Sequence, residues 1–243
     1  HSFMKHPRSS VTGLLSSAAV FIILTALAQP LHAAEPASAD YELSLAFSPG
    51  QQSGKLTGTA KLTILPGHRL TLAFPQMEVT TAQFHDETGQ ASEIPNIRDV
   101  LILPATDTRR TLTLTYSKTV TGEDDNLISP TGITLNSNWH PLPDRPMRFK
   151  LPAQLHDHFK AITESDSFPL AEKGGKVQSI YQKPVTAIHF TAGPYTIHKR
   201  QVRENLFVHS MFFSEDADLA DGYLQAAAEY LNRYEREIGP YPY

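Results

Sequence analysis

The side chains able to do chemistry fall into a few short clusters. His156-Asp157-His158 sets two imidazoles two residues apart, a spacing that shares a face if the segment is a strand, where both could ligate one ion. Two ligands do not close a metal site and no third is fixed by spacing, so the segment reads first as a polar loop after Pro152. His189, His198 and His209 stand at or near the ends of expected strands, and only the fold could gather them around a metal. Glu123-Asp124-Asp125, and Glu164 with Asp166, supply carboxylates. The paired-acid chemistry of glycoside hydrolysis needs a separation of about 5–9 Å that sequence spacing does not set, so turn and surface roles are expected.

Other chemistries lack their residues. There is no Gly-x-Ser-x-Gly elbow to present a serine nucleophile. Lys173-Gly174-Gly175-Lys176 has the wrong spacing for a phosphate loop and reads as a hairpin turn. No His-Glu-x-x-His occurs, and with 0 Cys there is no thiolate nucleophile, zinc thiolate or iron–sulfur ligand. Trp139, the 1 tryptophan, suits a core anchor or a pocket wall, with the core role preferred. No residue of the chain is therefore assigned a catalytic, cofactor-binding or metal-ligating role.

The elements that must carry these residues follow from composition and pattern. The 243 residues are 40% hydrophobic and 19% charged, within the range of globular proteins, with a formal net charge of −4. The longest basic cluster, His198-Lys199-Arg200, is too small for a phosphate-binding surface, so no nucleic-acid partner is expected. Lys5 and Arg8 precede an apolar run at 11–28 and small residues at 31–34, so 1–33 reads as a signal peptide and the protein as exported, periplasmic or extracellular. Thr12, Gly13, Ser16 and Ser17 shorten that run below the roughly 20 residues a membrane span needs. A membrane anchor is expected only if the leader stays uncleaved.

From Tyr41 onward the dominant signal is alternation with period two. Leu56, Gly58, Ala60, Leu62 and Ile64 share a face, as do Leu70, Leu72 and Phe74, and again Leu112, Leu114 and Tyr116 between β-favouring threonines. Turns are expected at Ser48-Pro49-Gly50, Pro66-Gly67, Thr88-Gly89 and Thr121-Gly122. Prolines such as Pro130, Pro141, Pro152 and Pro169 mark edges and loops in the middle, and further strands are expected over 147–151, 161–163, 177–181, 185–190, 195–198 and 206–213. The fold class is mainly β, an antiparallel sandwich. Near Ser214 the period becomes helical: Leu219, Tyr223, Ala226, Ala227, Tyr230, Leu231, Tyr234 and Ile238 trace an amphipathic helix that Gly239-Pro240 stops. The expected division is 34–213 as sandwich and 214–243 as the opening of a second, truncated domain. The helix's apolar face should then meet the sandwich or, the preferred expectation, further sequence.

The segment Ala226-Ala227-Ala228-Glu229-Tyr230-Leu231-Asn232-Arg233-Tyr234-Glu235, followed by Ile238-Gly239-Pro240-Tyr241-Pro242-Tyr243, resembles the start of the catalytic domain in aminopeptidase N-type zinc metallopeptidases. Thr131-Gly132-Ile133-Thr134-Leu135 with Trp139-His140-Pro141, and 183–190, resemble segments of that family's N-terminal sandwich, so the resemblance extends over roughly 41–243. His140 departs from the family's usual Tyr or Phe, and neither the Asp-Glu-Pro segment nor the substrate-contacting Gln is found, so no substrate-binding residue is carried over. The resemblance implies a saddle-like sandwich forming one wall of a peptide cleft. It also implies a zinc cofactor in the intact protein, with its ligands beyond Tyr243, so that this portion alone is inactive. The competing reading is an exported sandwich that binds a peptide, a sugar or a protein partner.

Overall fold

The computed structural model describes residues 21–26, 40–122, 125–156, 158–166, 168, 170 and 172–240. In chain order the first strands are β1 (Phe21–Ala26), β2 (Tyr41–Ser48), β3 (Gly54–Ile64), β4 (Leu70–Ala73), β5 (Glu78–His85), β6 (Ala91–Glu93), β7 (Val100–Leu103) and β8 (Arg110–Val120). The middle of the chain supplies β9 (Asn126–Ser129), β10 (Gly132–Leu135), β11 (Leu142–Pro143), β12 (Phe149–Gln154), β13 (Lys160–Ile162), β14 (Glu172–Lys173) and β15 (Lys176–Ile180). It ends in β16 (Phe190–Gly193), β17 (Thr196–Arg203), β18 (Leu206–Phe212), a 3₁₀ turn at Ser214–Leu219 and the helix α1 (Ala220–Glu237).

An eight-stranded sheet, ordered β14-β15-β12-β2-β3-β8-β5-β6, forms the largest layer. It is antiparallel except where β2 runs parallel to β12, from Phe149↔Tyr41 to Gln154↔Ala46. A four-stranded sheet (β13-β16-β10-β9) and a three-stranded one (β11-β4-β7) complete the sandwich. One apolar core joins the three: Leu56, Leu62, Leu112 and Leu114 from the large sheet meet Leu70 and Leu72 of β4, and Leu135 and Phe190 of β10 and β16. The period-two pattern is visible in burial, since β3 alternates buried and exposed residues along most of its length. Turns fall where Gly and Pro placed them; Gly67, Gly89 and Gly122 all take positive φ, the region that favours glycine.

One expected strand is displaced. Over 185–189 only Val185 makes a bridge, to Met147, and β16 begins at Phe190. The intervening backbone is engaged by side chains instead: the Trp139 indole N–H donates to the Ile188 carbonyl at 3.2 Å, and the His189 N–H donates to Glu164 Oε2 at 3.3 Å.

The last two strands and the helix form a third layer. β18 pairs with β17 and, on its other edge, with β1, from Phe21↔Met211 to Ala26↔Leu206. The paired β1 residues lie within the stretch read as a leader; residues 1–20 and 27–39 lie outside the described residues. On one face of this sheet Leu206 and Val208 pack with Leu224 and Leu231 of α1. On the other, Met211 packs with Ile162 and Tyr195, which ties the hairpin to the sandwich. An apolar cluster thus runs across the expected division at residue 214.

The helix was expected to bury the stripe from Leu219 to Ile238, and it does so only in part. Its buried residues are Ala220, Leu224, Ala228 and Leu231, held against the hairpin, while Leu219, Tyr223, Tyr230 (67% exposed) and Ile238 (71% exposed) remain open. At about 100° per residue the two stripes are centred roughly a quarter-turn apart, so α1 has two apolar faces and the hairpin covers one. Gly239, at φ +135°, ends the helix. Among the described residues no helix is long and apolar enough to cross a membrane.

Gly58 faces Tyr116 across the β3–β8 ladder, and a Cβ there would lie 2.3 Å from the ring. The Tyr116 hydroxyl is buried without a hydrogen-bond partner among the described residues. Gly58→Ala should therefore lower stability by about 1–3 kcal/mol through overpacking. Tyr116→Phe, which keeps the ring and removes an unsatisfied group, should be neutral or slightly stabilising in urea unfolding.

Candidate functional site

Each cluster singled out from the sequence can now be placed. His156 and His158 are exposed on the turn between β12 and β13, His158 with φ +72°, while Asp157 lies outside the described residues. The segment is a loop, and the period-two geometry that would align the imidazoles is absent. Lys173-Gly174-Gly175-Lys176 is the hairpin turn expected, with Gly174 at φ +60° and Gly175 at φ +72° joining β14 to β15.

The three later histidines do not converge. His198 of β17 pairs across the ladder with Ser210, and His209 of β18 with Lys199. Cross-strand partners share a face and neighbours along a strand oppose one another, so His198 and His209 project from opposite sides of the sheet. His209 is buried edge-on to the Phe168 ring at 5.1 Å, and its pKa is lowered by burial and then by the Lys199 charge. His189 lies elsewhere, its Nδ1 2.6 Å from Glu164 Oε1 in an exposed pair.

The carboxylates have structural partners. Asp166 Oδ2 accepts the Gln182 N–H at 2.6 Å, and Glu164 holds His189. Glu123 and Asp124 lie outside the described residues; Asp125 is exposed. Among the described residues no group of three or more His, Asp or Glu side chains could hold a metal ion. The donor sets on hand do not fit zinc: two exposed imidazoles on a turn, or two on opposite sheet faces.

Trp139 is fully buried, as the core reading expected. With His140 and Pro141 it forms the crossing that joins β10 to β11. Tyr41 Oη donates to the Pro141 carbonyl at 3.0 Å, and His140 Nδ1 lies 2.9 Å from the same oxygen. Next to Tyr41, the Arg148 guanidinium grips Asp40 through Nε at 3.0 Å and Nη2 at 2.9 Å. That hydrogen-bonded pairing holds the Asp40 carboxyl below its ordinary pKa against the opposing effect of burial.

Among the concavities of the described residues, which no sequence signal marked, one lies on the large sheet. A groove of about 460 Å³ lies beside β5, lined by Thr80, Gln83, Glu93, Asn96 and Arg98 among others. A bulge between Val79 and Thr81 leaves Thr80 out of the β5–β8 register, and β6 pairs only with Gln83–His85. The groove depends on a sheet edge and a following loop folding back beside it, an arrangement without local periodicity. Its polar lining can accept hydrogen bonds and charges but assembles no nucleophile with a base.

No family model and no curated protein matches the chain. Its structure is similar to the crystal structure of the M1 zinc metallopeptidase from Deinococcus radiodurans, with a TM-score of 0.51 at 18% identity, covering 66% of this chain and 43% of that one. A point mutant of the same enzyme aligns over the same shares at 17% identity and TM-score 0.48. The mutant bound to a Tyr-Ser-Ala substrate does so at 19% identity and TM-score 0.46.

Titration of the 243-residue chain with zinc should show no one-to-one uptake by calorimetry. Stoichiometric uptake abolished by His156→Ala would instead assign the 156–158 turn a metal role. Over the matched 66% of its length, this chain has the fold of an M1 zinc metallopeptidase and spans less than half of that enzyme's chain.

Proposed function

We propose that the chain is the non-catalytic N-terminal part of an exported zinc metallopeptidase that hydrolyses peptides from their amino end, its sandwich forming one wall of the substrate cleft. The observation that carries this reading is the fold likeness to the Deinococcus enzyme. The sequence resemblance at 226–243 agrees with it, although Tyr241-Pro242-Tyr243 lie outside the described residues. On this reading the zinc ligands and the water-activating glutamate would lie in polypeptide beyond Tyr243; among the described residues no group of three or more His, Asp or Glu side chains could hold the ion.

In this reading residues 34–213 supply the sandwich, and the hairpin that closes it also seats α1, whose second apolar stripe meets the catalytic domain. Export rests on the leader at 1–33. A periplasmic or extracellular setting, with membrane attachment only through an uncleaved leader, belongs to the same proposal.

A second reading, an exported module that binds a peptide, a sugar or a protein, draws on the polar groove beside β5. The two part at whatever the gene encodes past Tyr243. The peptidase reading expects that product to hold one zinc per chain by metal analysis and to release the reporter from an aminoacyl substrate, with loss of activity on chelation. The 243-residue chain should do neither. A longer product without zinc or hydrolysis leaves the binding module.

A further inference from the structure

His140 is a titratable side chain sealed into an aromatic box. Its ring is 1% exposed and lies edge-to-face with Trp139 at 4.7 Å, Phe149 at 5.8 Å and Tyr41 at 6.0 Å. One ring nitrogen is committed: with its proton on Nδ1, the imidazole donates to the Pro141 carbonyl at 2.9 Å, the oxygen that also takes the Tyr41 hydroxyl. A second proton, on Nε2, would place a full charge among three rings. The box holds three segments together, since Tyr41 opens β2, Phe149 opens β12 and Trp139 reaches the Ile188 carbonyl ahead of β16.

We propose that His140 makes this crossing an acid-released latch: neutral, it packs as an aromatic core residue, and protonated, it drives the Trp139–Pro141 crossing out of the sandwich. The groups around it cannot neutralise the charge. Tyr41 on β2 is kept neutral by burial, its pKa raised far above the ordinary value. Trp139 and Phe149 carry no charge, and Tyr181, edge-to-face with Phe149, is likewise raised by burial. The charged pair at the start of these two strands, Asp40 with Arg148, is already matched, and so is Lys150 with Glu42.

Burial lowers the His140 pKa from 6.5 to about 4, outweighing the upward pull of the Pro141 hydrogen bond. The unfolded chain takes up the proton first, so the contribution to stability is complete above pH 6.5 and is lost as the pH falls from there toward 4. The whole window corresponds to about a 300-fold fall in the folded-to-unfolded ratio, and to about 30-fold by pH 5. This latch stands on the sandwich alone, whatever the intact protein does.

Because Trp139 is the 1 tryptophan, its fluorescence reports on this crossing alone. Urea unfolding of the 243-residue chain should be followed by that emission at pH 7 and pH 5, beside His140→Phe. Asp40 and the other carboxylates titrate alike in both proteins, so the difference isolates the imidazole. The wild type should lose about 20-fold more than His140→Phe between the two pH values; equal losses would overturn the latch. Should His140→Phe fail to fold, the imidazole is titrated in the wild type by NMR. An imidazole neutral to below pH 5, with Trp139 emission shifting as it protonates, supports the latch. Reversible protonation near pH 6.5 with unchanged emission overturns it.

Discussion

The eleven-rung ladder between β3 and β8 is the interaction on which the sandwich depends. It runs unbroken from Gly54↔Val120 to Ile64↔Arg110 at the centre of the large sheet. Each strand sends alternate side chains inward, so Leu56, Ala60 and Leu62 meet Leu112, Leu114 and Tyr116 in one plane of the core. The register is over-determined, because a slip by one residue would turn inward the Lys55, Lys61 and threonine side chains of β3 or the alternate threonines of β8. Gly58 belongs to the same constraint: its missing side chain is the space that the Tyr116 ring occupies. With no cysteine in the chain, burial of this kind carries stability to which no disulfide contributes.

What local pattern carries was legible, and what distant partners decide was not. The strands at 56–64 and 112–116 could be read because period two is a property of neighbours in sequence. The same rule misplaced the strand at 185–190, where the Ile188 carbonyl is recruited by an indole 49 residues away. It was silent on the parallel contact of β2 with β12, since a parallel pair leaves no turn between its strands. The helix shows both outcomes at once. Its period and its stop at Gly239 were plain, yet of the expected stripe Leu231 is buried, beside Ala220, Leu224 and Ala228, while the tyrosines at 223 and 230 stay open, because only the hairpin's position selects the face.

The candidate chemistry divides in the same way. Whether the histidines at 189, 198 and 209 could gather was left to the fold, and strand geometry sends His198 and His209 to opposite faces. His140, noted only as a departure from a family pattern, has the most constrained surroundings of any histidine described here, enclosed by three rings and tied to one carbonyl. Such a setting needs Tyr41 and Phe149, the first 99 residues from His140 in sequence and the second on a different strand, and no spacing rule announces it. Aromatic packing, matched ion pairs and polar loops account for the clusters followed here among the described residues.

The central claim is that α1 carries one apolar face for its own hairpin and a second for a catalytic domain. Tyrosine nitration read residue by residue by mass spectrometry tests this most directly, comparing the 243-residue chain with a longer gene product that carries the proposed catalytic domain. The account predicts that Tyr223 and Tyr230 react readily in the shorter chain and are shielded in the longer one. Equal reactivity in both would contradict it, leaving the stripe a solvent-facing surface and the sandwich a module without a catalytic partner.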